Sequence, residues 1–153
     1  MVAASLSSVP THASDWTFQD DRSSPQKLIE SYYYAISNRL YVQAYSYFSE
    51  GSAPKDFQTW SKGFSETQSV TVKFGSTAPD PGAGQIFWVL PVALSAVQSD
   101  GGVKVFAGCF TIHMISPGMQ SAPPYRPMGI NKASLKEVTS SFKTTKPGPC
   151  AGD

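Results

Sequence analysis

Charge is scarce in this chain. Only 15% of its 153 residues are Asp, Glu, Lys or Arg, against roughly 25% in an average soluble chain. The twelve basic and eleven acidic residues nearly cancel, leaving a formal charge of +1. No run of Lys and Arg occurs, which excludes a nucleic-acid interface, because phosphates demand clustered cations. No stretch holds 18 uninterrupted apolar residues, so no membrane-spanning helix is expected. Cysteine and histidine occur twice each, at separations that match no zinc spacing. There is no Gly-rich phosphate loop, no nucleophile elbow and no CxxC pair. Neither a metal nor a cofactor is implied. The opening residues lack the basic start and apolar core of a signal peptide.

What is present is apolar and aromatic: 41% hydrophobic and 12% aromatic residues, enough for one globular domain. The chain is organised around residues 68–116, which read as three strands folded back on one another. Residues 69–74 alternate cleanly, with Val70, Val72 and Phe74 on one side. Residues 85–94 are apolar on both faces, so this strand should be covered twice. Pro91 cannot donate to a ladder and marks a bulge or an edge. Ser99-Asp100-Gly101-Gly102 signals a hairpin. In residues 103–115, Phe106, Gly108, Phe110, Ile112 and Met114 share one register, and Val105, Ala107, Cys109, Thr111 and His113 the other.

Helical spacing precedes the strands. Residues 1–23 read as a flexible leader, with Trp16 and Phe18 as aromatics suited to docking on the domain. Ser24-Pro25 is a helix start, followed by Leu28, Ile29, Tyr32, Tyr33 and Ile36 on one face, with Asn38 at the end. Tyr41, Ala44, Tyr45 and Phe48 predict a second helix, closed at Gly51. A third is expected from about residue 52, with Pro54 in its first turn, Gly63 inside it and Phe57, Trp60 and Phe64 buried. After the strands, residues 116–125 form a Pro-rich connection. Residues 126–138 read as a last strand with a bulge near 131–133, and residues 139–153 as a polar tail.

Tyr33-Tyr34-Ala35-Ile36 followed by residues 41–48 (YVQAYSYF), and residues 60–67 (WSKGFSET) running into residues 68–72 (QSVTV), resemble the helices and helix-to-sheet junction of nuclear transport factor 2-like (NTF2-like) domains, in particular secreted bacterial members. The resemblance spans about residues 25–138. It implies an α+β fold. Three N-terminal helices pack in the concave face of a curved antiparallel sheet of four or more strands, a cone-like form. One such fold hosts many functions. Domain limits follow as leader 1–23, domain 24–138 and tail 139–153.

The superfamily's enzymes set a carboxylate or histidine inside an apolar cone, where burial shifts its pKa. The three central strands here contain neither Asp nor Glu. His113 is their one candidate base, but its register is opposite the core face, as for a surface or interface histidine. Tyr33, Tyr45, Trp60, Trp88 and Phe110 are the pocket candidates, and the bland alternative is plain core. Cys109 and Cys150 either close a disulfide, contributing about 3–4 kcal/mol through chain entropy, or remain a buried and a free thiol. Low charge, abundant Ser and Thr and two cysteines point to an extracytoplasmic home. The first reading is therefore a non-catalytic interaction module that forms a homodimer through the sheet. The second is a binder of a small apolar ligand. The third is an enzyme related to isomerases, dehydratases and cyclases.

Overall fold

The computed structural model describes residues 17–151. Helices α1 (Pro25–Ser37), α2 (Tyr41–Tyr45) and α3 (Phe57–Lys62) precede strands β1 (Thr67–Phe74), β2 (Asp80–Gly82), β3 (Gln85–Gln98), β4 (Val103–Ile115) and β5 (Gly129–Val138). The architecture is α+β, with the helices on one face of a curved antiparallel sheet. The sheet runs β1-β3-β4-β5, with β2 also paired to β3. It therefore has five strands. The additional one, β2, lies within the Pro/Gly-rich segment that reads as a turn.

The start of α1 follows its chemistry. Ser24 accepts from the Lys27 amide and Pro25 occupies the first turn. Leu28, Ile29, Tyr32, Tyr33 and Ile36 are all buried. The second helix is shorter than its spacing predicts. It stops at Tyr45 because the next residues turn to pair with β5. Ile130 N–H donates to Tyr47 O, and Ser49 N–H donates to Ile130 O, both at 2.8 Å. Tyr47, off the expected stripe, is fully buried. The third helix begins at Phe57, not near residue 52. Asp56 is its cap, accepting from the Thr59 amide, so Pro54 lies before the helix. Gly63 is the C-terminal cap rather than an interior residue.

Pro91 sits where its missing N–H is harmless. β1 ends opposite Val92 and β2 pairs no further along β3 than Phe87. In that gap Pro91 O accepts from Gly75 N–H at 2.9 Å. The edge reading is correct locally, although β3 is a central strand. β5 starts at Gly129, later than residue 126. Its register slips between Ile130 and Lys132, leaving Asn131 as the bulge.

The inner face of the sheet joins α1 in one core through Leu90, Val92, Leu94, Phe110, Ile112 and Ile130. Part of the outer face is covered by the chain's own tail. Cys150 is disulfide-bonded to Cys109 on β4. Lys73 donates to the Phe142 carbonyl and lies 4.7 Å from the centre of the Phe142 ring. Gly148 N–H donates to Val92 O. Ala93, Ala107 and Cys109 are buried on that face. The second cover that β3 requires thus comes from within the chain at these positions.

Residues 17–23 run along α1 and α2. Tyr34 Oη donates to Thr17 O, Gln43 Nε2 donates to Gln19 O, and Asp21 N–H donates to Ser31 Oγ. Polar contacts hold this arm, while Phe18 stays 64% exposed. Trp16 lies outside the described residues.

Candidate functional site

The helices do not fill the cone. Between α1, α3 and the inner sheet face lies a concavity of about 580 Å³. Aromatic side chains make one wall. Trp60 packs against Phe64 (ring centroids 5.3 Å apart) and Phe48 (6.2 Å), and Phe48 against Tyr32 (5.8 Å). Leu94, Ala96, Phe106 and Leu135 of the sheet face them. Strand alternation explains this. Phe106 and Phe110 project inward with the even-numbered residues of β4, and Leu94 and Ala96 with those of β3.

Polar groups are few. Tyr32 and Tyr33 project from α1, with ring centroids 4.8 Å apart. Burial raises the pKa of both, and the neighbouring Tyr32 raises Tyr33 further, while the Trp60 indole beside Tyr32 partly opposes its shift. Both hydroxyls are therefore held protonated and act as donors. The Tyr33 hydroxyl has no hydrogen-bond partner among the described residues. No fully enclosed side-chain polar atom there lacks a partner. The hydroxyl therefore reaches open space, and Tyr33 lines both the concavity and a smaller groove of about 300 Å³ beside Glu30 and Val72. Exposed lining residues include Lys104, Asn131 and Lys132. Asn131 Oδ1 accepts from Ser52 Oγ at 3.1 Å, tying the β5 bulge to the segment before α3. Among the described residues, neither a carboxylate nor a histidine lines the concavity.

Of the residues singled out from sequence, Tyr33, Trp60 and Phe110 meet here. Tyr45 stands behind the wall. Its ring lies 5.4 Å from that of Trp60, and its hydroxyl donates to Pro54 O. Trp88 packs on the core away from the cavity, cross-strand from Ile112. His113 lies on the outer register, half-buried. It stacks on Phe87 (centroids 4.7 Å) and its Nε2 contacts Gln85 Oε1 at 2.6 Å. His113 instead lines a separate cleft of about 550 Å³ with Arg22, Glu50 and Arg126. The charges there are engaged, Arg126 with Glu50 at 2.9 Å and Arg22 with Asp20 at 3.3 Å. The sequence reading missed Tyr32, Phe106, Lys104 and Lys132 as lining residues. Extending the β4 register back from Phe110 would have found two of them.

The order of three helices and a curved sheet, with a concavity between, matches that of known structures. A candidate scytalone dehydratase from Novosphingobium aromaticivorans superposes with a TM-score of 0.52 at 7% identity, over 84% of this chain and 91% of that one. The fold is NTF2-like. An NTF2-like protein of unknown function from Exiguobacterium aligns over 74% of this chain and 99% of its own length at 12% identity. Its TM-score of 0.39 is too low to add weight. No protein-family model matches the sequence, and no curated protein does. At these identities the likeness concerns the NTF2-like backbone alone. The side chains described above are this chain's own.

Proposed function

We propose that this NTF2-like domain binds a small, largely apolar molecule inside the cone, and that Tyr33 donates a hydrogen bond to an acceptor oxygen on it. The observation that carries this reading is the Tyr33 hydroxyl. It belongs to a residue only 5% exposed, has no hydrogen-bond partner among the described residues, and lines a cavity whose walls are mainly aromatic and aliphatic. A hydroxyl that reaches open space without a partner in the protein is available to water or to a ligand oxygen that displaces it. Ligand sites of this kind are concave, apolar and fitted with a few placed polar groups.

Binding is favoured over an interaction role because the interior is open while the tail lies over part of the outer sheet face. It is favoured over turnover because acid–base chemistry works best with groups titrating near the operating pH. The groups aimed inward are two tyrosines held protonated and one or two lysines. The disulfide supports an extracytoplasmic location, since oxidising compartments preserve such bonds.

Native mass spectrometry of the non-reduced protein is the direct test. A retained small molecule, lost in Tyr33→Phe, is the expected result. A mass equal to the bare chain, together with no binding of apolar probes, would sink the reading.

A further inference from the structure

We infer that the molecule held in the cone is a monoanion, with Lys104 as the residue that selects its charge. This rests on the cavity reading above. Six residues of β4 share the inward register, and five of them are Phe106, Gly108, Phe110, Ile112 and Met114. The sixth is Lys104, cross-strand from Ala96, and both line the cavity. A lysine on an apolar register needs an explanation. Packing supplies none, because the residue is exposed and makes neither a hydrogen bond nor an ion pair among the described residues. Most lysines among the described residues are likewise unpaired, although Lys27 pairs with Glu30 and Lys73 binds the tail, so its place on the apolar register is what sets Lys104 apart. Glu137 lies cross-strand from Phe106 and shares with Lys104 a second cleft on the far side of the strand, but the two form no ion pair, and Glu137 does not line the concavity.

Lys132, beside the β5 bulge, is a second lining lysine without a partner. Among the described residues the concavity thus carries two cationic side chains and no carboxylate. A narrow, apolar-walled site lined by one sign of charge attracts the opposite sign. The donors suit a singly charged group such as a carboxylate or sulfonate. A phosphate dianion would demand the denser donor set that Arg forks or clustered amides supply.

The two polar anchors are also far apart. Tyr33 meets Phe110, with ring centroids 6.1 Å apart, and Lys104 lies six residues along the strand from Phe110, roughly 20 Å of backbone. The geometry describes an elongated molecule. Its acceptor oxygen sits at Tyr33, its apolar body lies along Phe106 and Leu135, and its charge is at Lys104.

Two dyes that differ by one sulfonate test this. They are 8-anilinonaphthalene-1-sulfonate and the uncharged N-phenyl-1-naphthylamine, titrated into the full chain at low salt. The anionic dye should bind more tightly by roughly two- to fivefold, the range of one solvated charge pair. Lys104→Met should remove that advantage and leave the neutral dye unchanged, and salt should weaken only the anionic dye. Ala96→Trp, which fills the cavity, should weaken both dyes. Leu135→Trp serves the same purpose if Ala96→Trp does not fold by circular dichroism. Equal affinities, or equal loss of both dyes in Lys104→Met, would overturn the charge assignment and leave the cavity reading standing. Binding of neither dye, or of both undiminished in the filled variant, would overturn the cavity reading and this inference with it.

Discussion

Tyr33 on α1 meets Phe110 on β4 edge to face, with their planes at 77°. This pair joins the helix layer to the sheet, and both residues line the cavity. The ring holds the fold, while the hydroxyl is free to serve a ligand. Tyr33→Phe should therefore separate the two roles. Stability should change by less than about 1 kcal/mol, because the hydroxyl has no hydrogen bond to lose among the described residues. Affinity for a ligand with an acceptor oxygen should fall by roughly fivefold, the worth of one hydrogen bond. Urea unfolding and ligand titration on the same variant check both halves. A large loss of stability would mean that the hydroxyl has a structural partner.

Gly108 on β4 lies directly against the β5 backbone, opposite Leu135. A Cβ placed there would sit 2.0 Å from the Ser134 carbonyl oxygen and 2.9 Å from its carbon. The obstacle is backbone, so no rotamer change relieves it. Gly108→Ala should cost about 3 kcal/mol or more, at the upper end of overpacking penalties. The urea midpoint of the variant measures this. A midpoint within error of the parent would show that the two strands separate freely.

The bond between Cys109 and Cys150 closes a loop of 41 residues and pins the tail to the outer face of β4. Loop-closure entropy assigns it about 4 kcal/mol. Cys150→Ser, or reduction of the parent, should lower stability by about that amount. It should also open the segment from residue 139 to residue 150 to protease before the sheet itself is cut. Unchanged cleavage of this segment would mean that the polar contacts of Lys73 and Gly148 alone hold the tail.

Asp56 holds the first turn of α3, and α3 carries Trp60 into the cavity wall. Hydrogen bonds from the Thr59 amide and hydroxyl keep the Asp56 carboxyl below its usual value of 3.8. With the folded pKa below the unfolded one, the cap stabilises fully above about pH 4 and fades as pH falls through the folded value. Asp56→Ala should thus unfold at lower urea than the parent at pH 6, and the gap should close near pH 2. A gap that persists at pH 2 would show that the carboxylate charge is not the source of the cap.

Local order was readable because it depends on neighbours a few residues apart. The Ser24-Pro25 start, the α1 stripe and the β4 alternation from Phe106 to Met114 all follow from spacing. Where spacing misled, a distant partner had decided the outcome. α2 stops at Tyr45 because Tyr47 and Ser49 give their backbone to Ile130, over 80 residues away in sequence. α3 starts late because Asp56, not Ser52, finds a free amide to cap. Ser52 instead reaches Asn131.

The same division runs through the candidate site. Period and composition determined that Tyr33, Trp60 and Phe110 would lie on buried faces, and that no carboxylate would stand on the central strands. They could not decide that Trp88 and Tyr45 fall outside the cavity. Both share the apolar pattern of the residues that line it, and a side chain's face does not state what lies opposite. Only the tertiary structure decided that the helices leave the cone open, that Lys104 continues the register of Phe106 and Phe110 into that space, and that the tail folds over the outer face. Each of these depends on sheet curvature and on contacts between distant segments, which no local periodicity records.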